Sequence, residues 1–270
     1  MKRKQSHHKP VRSEGRYAAL RLTTKPNTFV QRYLNSSFVW LSLMLLWAVT
    51  DVLHATIPSG GRPIEPDTWI THLVFTLVGL ASIWCMQRSG FSAAWDSRIS
   101  VKQRLLLPMF VGVAFGTCAI LIDQITGATS ILAAKVGSDF NVGFPGSLFV
   151  YTGGAIKLES VFRIIPIPII LWLGSSVFLK GRAQNKIFWI LAVLTSAVEP
   201  IIQGIPLMQL AGGEIGGLSF AAYAIHAYAF NFASAVCFRF YGLLGAVLVR
   251  FGNYIIWHIG FGFYLQYLTS

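Results

Sequence analysis

Long apolar runs alternate with short polar segments from about residue 35 to the end of the chain. A bilayer core about 30 Å thick requires about 20 apolar residues in a helix. Seven runs are long enough to cross it, so the pattern predicts an all-α polytopic integral membrane protein with about seven transmembrane helices. The predicted spans are residues 37–57, 69–86, 105–125, 149–179, 187–210, 218–238 and 242–268.

Prolines inside two of these runs predict irregular helices. The fourth run is too long for one straight crossing and contains Pro166 and Pro168, and the fifth contains Pro200 and Pro206. Proline lacks a backbone N–H and its ring clashes with the preceding turn, which kinks or breaks a helix. We therefore expect a break or a kink in the fourth span and a break in the fifth.

The composition agrees with a membrane protein and excludes several soluble classes. Hydrophobic residues make up 54% of the 270 residues and charged residues only 12%, whereas soluble domains carry about a quarter charged residues. A disordered chain, a secreted disulfide scaffold and a soluble nucleic-acid binder are excluded. We predict a flexible basic cytoplasmic tail over residues 1–34 and a single transmembrane helical domain over residues 35–270.

The positive charge is distributed as a topology signal rather than as a nucleic-acid footprint. The formal net charge is +12, yet 17 of the 22 Lys and Arg residues fall in the tail or in alternate loops between the predicted spans. Only Arg62 and Lys135 fall in the opposite loops. The positive-inside rule therefore predicts a cytoplasmic N-terminus and an outer C-terminus, with the lipid bilayer as partner and no nucleic acid.

Single cysteines and spaced glycines inside the spans are interpreted as packing features. Cys85, Cys118 and Cys237 have no CxxC spacing and are expected to be small buried hydrophobic side chains. Gly112 and Gly116 are four residues apart, which favours close helix packing within the chain over a dimer face. The glycine-rich run 212–217 is also expected to permit close helix approach.

Ionisable side chains inside the predicted spans are the candidates for function, because a charge at mid-bilayer costs about 2.5–3.5 kcal/mol on insertion scales. Glu159 and Arg163 are four residues apart on one helix face and can form an ion pair. Such a pair does not by itself indicate a function, because mutual neutralisation is enough to let the helix insert into the membrane. The full set comprises Asp51, Asp123, Lys157, Glu159, Arg163, Glu199 and Arg250, with the imidazoles of His54, His72, His226 and His258.

A second candidate set consists of Asp51 and His54, near the end of the first span, and His72, near the start of the second. Asp51 and His54 share a helix face, and His72 lies on the next helix, so they can make a metal or proton site. No complete ligand set is visible in the sequence, so satisfied polar groups near a helix end are the favoured interpretation. No metal and no cofactor are predicted.

A family resemblance begins in the fourth span. Residues 158–168 read Leu-Glu-Ser-Val-Phe-Arg-Ile-Ile-Pro-Ile-Pro. This resembles the first signature of the CAAX protease and bacteriocin-processing (CPBP, or Abi) family of intramembrane glutamic endopeptidases, whose pattern is Glu-Glu-x-x-x-Arg. Glu159, Phe162, Arg163 and Pro168 match, and Leu158 stands in place of the first glutamate.

Two later segments extend the resemblance over about residues 153–258. Residues 240–258 are similar to the family's last helix, with Arg250 at the catalytic His position, Tyr254 at the Asn or Asp position and His258 at an extra His. In an alternative register His258 is the motif His and Gly262 takes the Asn position. The middle motif, Phe-x-x-x-His, aligns Glu199 with its Phe and Gln203 with its His. His226 is the alternative second His, with Ala222 at the Phe position.

The resemblance implies a CAAX-protease-like helical bundle in which a glutamate and two histidines activate water. Leu158 and Gln203 cannot act as bases, and Arg250 is always protonated. We therefore expect a catalytically lapsed member whose Glu199 and Arg250 pair across the former active-site cavity, and which binds a membrane protein partner or a lipid-linked ligand there. We expect it in the cytoplasmic (inner) membrane of a bacterium.

Two other functions remain open from the sequence. The first is an active intramembrane endopeptidase that cleaves a prenylated or peptide substrate with Glu159 or Glu199 as base and His226 or His258 as its partner. The second is a transporter, for which broken helices are typical. The sequence shows no repeat symmetry of the kind that transporters carry.

Overall fold

The computed structural model describes residues 28–57, 64–137 and 141–268, and these residues form helices without any strand. Seven of the helices are long and apolar enough to cross a membrane, which confirms the predicted all-α polytopic architecture. In chain order the helices are α1 (Phe29–Ala55), α2 (Pro66–Arg88), α3 (Lys102–Thr126), α4 (Ala128–Val136), α5 (Gly146–Phe178), α6 (Gln184–Ala211), α7 (Gly217–Tyr241) and α8 (Leu243–Leu268).

Helix α1 begins earlier than the sequence predicts. The side-chain oxygen of Thr28 accepts a hydrogen bond of 3.2 Å from the backbone N–H of Gln31, which caps the first turn. Residues 29–34 are therefore helical and do not belong to the predicted tail. The rest of that tail, residues 1–27, lies outside the described residues.

Helix α4 was not predicted, because nine residues are too few to be recognised as a span. It starts after Gly127, whose φ of +63° ends α3 in the left-handed conformation. Its buried Ala128 and Leu132 pack against Ala211 and Ile215 at the end of α6. Lys135 also pairs with the carboxylate of Glu214, so α4 covers the junction between α6 and α7.

Helix α5 continues through its two prolines by widening its turns. Residues Ser160–Ile164 and Trp172–Phe178 form π-helical turns on either side of a short α-helical stretch, Pro166–Leu171. Pro168 cannot donate to the carbonyl of Ile164. The hydroxyl of Ser82 on α2 donates to that carbonyl over 2.5 Å, so a neighbouring helix supplies the missing donor. The predicted irregularity is present, although the helix does not end there.

The expected break in α6 is wrong. The helix runs without interruption from Gln184 to Ala211, with Pro200 and Pro206 inside it. The glycine-rich run that follows is also different from the prediction. Gly212 and Gly213 have φ of +59° and +88° and form the turn into α7, and a β-carbon at either would meet no atom within 4 Å. That run forms a turn and does not bring helices close together.

Helix α8 occupies the centre of the bundle and packs against α3, α5 and α7. The closest approach is made by the two glycines of α3: a β-carbon at Gly112 would lie 2.0 Å from the carbonyl oxygen of Val249, and one at Gly116 would lie 2.7 Å from that of Asn253. The prediction of packing within the chain is confirmed. This contact sets how deep α8 lies in the bundle and so positions Arg250.

The cysteine prediction is correct for two of the three residues. Cys85 and Cys237 are buried, as expected for small hydrophobic side chains. Cys118 is exposed on α3 instead. Helix α3 is the most hydrophobic of the spans and has a large outward face, so an apolar position in its sequence does not show whether the side chain faces the bundle or the lipid.

We predict that Gly112→Ala destabilises the bundle, because the new methyl group would overlap backbone atoms that cannot rotate away. Overpacking costs about 1–3 kcal/mol, so the midpoint of thermal unfolding in detergent should fall by several degrees. Gly154→Ala is the matched control, since its β-carbon would meet only a ring carbon of Tyr254 at 3.8 Å. Equal midpoints for the two variants would contradict the close α3–α8 contact.

Candidate functional site

Four charged side chains from three helices meet inside the bundle. Glu159 and Arg163 come from α5, Glu199 from α6 and Arg250 from α8. All four are buried, with at most 6% of any residue exposed. We call these residues the charge quartet. Its formal charges cancel, which satisfies the requirement that buried charges be paired.

Arg250 makes the strongest contacts of the quartet. Its Nη1 donates to Oε1 of Glu199 over 2.7 Å and its Nη2 to Oε2 over 2.5 Å, in a two-point contact. Its Nε donates to Oε1 of Glu159 over 2.7 Å. The predicted Glu199–Arg250 pair is confirmed, and Arg250 also joins the two carboxylates.

Arg163 completes the quartet from the opposite side. Its Nη1 donates to Oε1 of Glu159 over 3.0 Å, which confirms the pair predicted from their spacing of four residues. Its guanidinium also lies 3.4 Å from Oε2 of Glu199. Each arginine therefore contacts both carboxylates, so the pair on α5 is part of an interhelical network and does more than neutralise its own helix.

Neutral polar groups of α7 and α8 add hydrogen bonds around the quartet, although Nε of Arg163 is buried without a partner among the described residues. Oδ1 of Asn231 accepts from Nη2 of both Arg163 and Arg250, the latter over 3.2 Å. Ser234 donates to Oε2 of Glu159 over 2.8 Å, and the Tyr254 hydroxyl accepts from Arg250 over 3.3 Å. Asn231 and Ser234 were not predicted from the sequence. Their spacing of three residues in an apolar run was the available signal, since it puts both on one helix face.

A cavity of about 280 Å³ extends from the quartet between α6 and α7. Glu199 and Arg250 stand at its polar end, beside Asn231 and Tyr254. Its walls are otherwise mostly apolar and aromatic, with side chains from α6, α7 and α8, the first half of α4 and one residue of α3. Representative wall residues are Leu132, Leu207, Met208, Phe220, Phe230 and Trp257.

The two candidate histidines line this cavity but do not pair with its carboxylates. Nε2 of His226 lies 2.9 Å from the carbonyl oxygen of Phe115, so this nitrogen carries the proton and donates. Nδ1 of His258 lies 2.7 Å from Oδ1 of Asn141, and its ring stacks on Tyr151 with centroids 4.3 Å apart. Within the described part of the chain, neither imidazole is hydrogen-bonded to a glutamate.

Gln203 and Leu158, which the resemblance aligns with catalytic positions of the family, lie at the margin of the site. Gln203 lines the cavity one turn beyond Glu199, and it is exposed. Leu158 precedes Glu159 on α5, is half-buried, and does not belong to the cavity wall. Neither side chain is placed by the structure in contact with the charge quartet.

Asp51 and His72 form a separate polar pair between α1 and α2. Nε2 of His72 lies 2.8 Å from Oδ2 of Asp51, and the imidazole contacts the Trp47 ring at a centroid distance of 4.2 Å. His54 lies instead next to Gly146 at the start of α5. Among residues 28–57, 64–137 and 141–268, no three His, Cys, Asp or Glu side chains are grouped as metal ligands. The expectation of satisfied polar groups is confirmed only for this contact, because Nδ1 of His72 and Nδ1 of His54 are buried without a hydrogen-bond partner among the described residues.

The geometry restricts what the quartet can do chemically. A carboxylate whose oxygens accept hydrogen bonds from cations is stabilised as the anion and is a weaker general base. Oε1 of Glu159 accepts from two guanidiniums and its Oε2 from a hydroxyl, while both oxygens of Glu199 accept from Arg250. The arrangement is therefore suited to holding three helices together, and it forms the polar end of the cavity.

Comparisons of the chain with models of known protein families, with curated proteins and with solved structures find no match.

We predict that Arg250→Ala lowers the free energy of unfolding by about 3–5 kcal/mol, because it leaves two buried carboxylates with one cation. Thermal unfolding in detergent should show a large fall in the midpoint. Lys135→Ala is the control: it removes a cation from an exposed pair with Glu214, where a pair contributes about 0–1 kcal/mol. A midpoint for Arg250→Ala close to that of the control would contradict the structural role of the quartet.

Proposed function

We propose that this chain is an integral membrane binding protein of the CAAX protease and bacteriocin-processing type that has lost peptidase activity. Its cavity would hold the apolar chain of a lipid-linked or prenylated ligand, presented free or on a membrane protein partner. The observation that carries the proposal is the charge quartet: the carboxylates at the polar end of an apolar cavity are bound by arginines.

The placement of the three motif segments supports the family resemblance. Glu159 with Arg163, Glu199, and Arg250 with Tyr254 come from separate segments of the chain and meet in one cluster. The resemblance aligns the same segments with the family's catalytic positions. A shared ancestral site would explain why these particular segments converge, since helix packing alone does not require charges at the contact.

The cavity walls favour an apolar ligand over a polar one. Ligand pockets have volumes of about 300–1,000 Å³, so a cavity of about 280 Å³ suits a single chain rather than a folded domain. The wall side chains of α6 and α7 offer van der Waals contact along the cavity, and apolar surface predominates over polar surface in its lining. A ligand from the bilayer would enter without first being transferred through water.

A farnesylated fluorescent peptide tests the proposal with the purified protein in detergent or nanodiscs. We predict saturable binding without cleavage, the products being followed by mass spectrometry. Leu207→Trp, which fills the cavity, should weaken binding by about tenfold or more, the equivalent of 1.4 kcal/mol. Leu210→Trp is the matched control, because Leu210 is exposed on the same helix and is not part of the cavity wall.

Two results would contradict this function and identify another. Cleavage of the peptide that disappears in Glu159→Gln or Glu199→Gln would establish the active endopeptidase with a histidine partner. Solute flux into liposomes that depends on Glu199 or Asp51 would establish a transporter. Equal binding by Leu207→Trp and Leu210→Trp would show that the peptide binds outside the cavity.

We also propose that the N-terminus faces the cytoplasm of a bacterial cell and the C-terminus the outside. The seven spans place loop 89–101 and helix α4 at opposite ends of the bundle. Loop 89–101 and its neighbours at that end carry most of the basic residues that lie between spans.

Cysteine labelling in a variant free of native cysteines measures the orientation. Ala134 on α4 and Ser97 in loop 89–101 are both exposed. We predict that Ala134→Cys reacts with an impermeant maleimide in intact cells and that Ser97→Cys reacts only after permeabilisation. The reverse pattern would overturn the proposed orientation.

A further inference from the structure

A second pocket, of about 430 Å³, opens at the other end of the bundle from α4. It lies between loop 89–101, the first turns of α6 and the last turn of α7. The side chains that line it include Ser92, Arg98, Asn185, Trp189 and Arg239. These positions are at the ends of membrane-spanning helices, where lipid headgroups lie.

Three arginines surround the loop that forms one wall of this pocket. Arg32, Arg104 and Arg239 donate to backbone carbonyls of the loop, at Phe91 over 2.6 Å, Ile99 over 3.1 Å and Ser89 over 2.7 Å. A carbonyl satisfies a donor but carries no formal charge to cancel that of the guanidinium. The positive charge of these three residues therefore remains.

Asp96 also lines the pocket and is the only acidic residue in loop 89–101. Arg98 binds it through two hydrogen bonds, from Nε over 2.9 Å and from Nη2 over 2.6 Å. The hydrogen bond from Arg98 holds the pKa of Asp96 below its usual range, so this carboxylate is ionised at neutral pH and offsets one arginine. Positive charge remains in excess around the pocket.

Arg239 is held in a fixed orientation with part of its guanidinium available. The guanidinium lies over the rings of Phe91 and Phe188, at 4.7 and 5.0 Å from their centroids. Nη1 donates to Ser89, while Nε and Nη2 donate to no acceptor among the described residues. Gly90, with φ of +70°, also lines the pocket, and a β-carbon there would lie 3.9 Å from Nη2.

The remaining wall residues suit an anion that carries several acceptor oxygens. Nη1 of Arg98 is not used in the contact with Asp96, and Asn185 makes no side-chain hydrogen bond within the described part of the chain. Trp189 supplies an aromatic surface at the same level. Guanidiniums bind phosphate oxygens with charge-assisted hydrogen bonds, often two at a time.

We propose that this pocket binds a phosphate-bearing anion at the membrane surface, with Arg239 and Arg98 as the cationic groups. Two sources share this chemistry: the phosphate of an anionic phospholipid headgroup and a soluble phosphate ester. The site is independent of the cavity next to the charge quartet. A diffuse basic surface that serves only to orient the protein would lack the concave wall and the oriented, partly unused guanidinium of Arg239.

Native mass spectrometry of the full-length protein in detergent tests this site by titration with dioleoyl phosphatidylglycerol or dioleoyl phosphatidylcholine. We expect tighter binding of the anionic lipid, and Arg239→Gln should weaken it by about tenfold. Asn185→Asp places a negative charge in the pocket without removing a hydrogen bond within the protein and should weaken lipid binding several-fold. Lys186→Gln is the matched control, since it lowers the net charge equally at an adjacent exposed residue outside the pocket.

Competition with sn-glycerol 3-phosphate distinguishes the two sources. Displacement of the lipid by this soluble ester assigns the pocket to soluble phosphates as well, and lack of displacement assigns it to the lipid headgroup. Equal weakening by Asn185→Asp and Lys186→Gln would overturn the proposal, because it would show an effect of overall surface charge. Equal affinity for the two lipids would overturn it also. If Arg239→Gln does not fold, the comparison of Asn185→Asp with Lys186→Gln decides alone.

Discussion

Two guanidiniums and two carboxylates meet in the interior of a bundle whose outer surface is made for lipid. Transfer of a single ion into such a medium costs several kcal/mol even after relaxation. Each member of the charge quartet is therefore dependent on the others: each arginine contacts both glutamates. Loss of one member leaves the rest with a net charge that no water can screen. The positions of α5, α6 and α8 relative to one another follow from this constraint, because charge-assisted hydrogen bonds tolerate little change in length or angle.

The remaining packing is consistent with that constraint. A shift of α8 by one residue would move Arg250 by about 1.5 Å along the axis and about 100° around it, away from Glu199. The carbonyls of α8 that contact Gly112 and Gly116 of α3 resist the same shift. The π-helical turn of α5 includes Arg163 and directly follows Glu159. It changes the direction in which these two side chains leave the helix, as expected where π-turns occur at functional positions. The hydroxyl of Ser82 compensates nearby for the donor that Pro168 lacks.

Features that depend on one segment, such as a membrane span, can be predicted from the sequence. Contacts between two segments cannot, because they depend on how the helices are rotated against each other. Seven apolar runs correctly predict seven spans, and four of the charges within them meet in one buried cluster. The Glu199–Arg250 pair was predicted from the resemblance, but the contact of Arg163 with Glu199 was not, since it depends on the rotation of α5 relative to α6. Asn231 and Ser234 were missed because neutral polar side chains are common in spans. Pro200 and Pro206 do not break α6. The exposure of Cys118 could not be predicted from composition, because composition does not show which way a helix position faces.

The cavity beside the quartet and the pocket at Arg239 differ in net charge. This difference determines which ligand chemistry would suit each of them. The cavity beside the quartet ends on groups whose charges already cancel, so an ionic ligand would have to disrupt existing pairs to be bound there. A ligand with an apolar chain and a neutral polar end, such as an ester or an amide, has to displace none of them. The pocket at Arg239 is the opposite case: its cations exceed its single carboxylate and some of their donors have no protein acceptor. The pocket at Arg239 would therefore favour an anionic headgroup, and the cavity beside the quartet would favour an uncharged apolar chain.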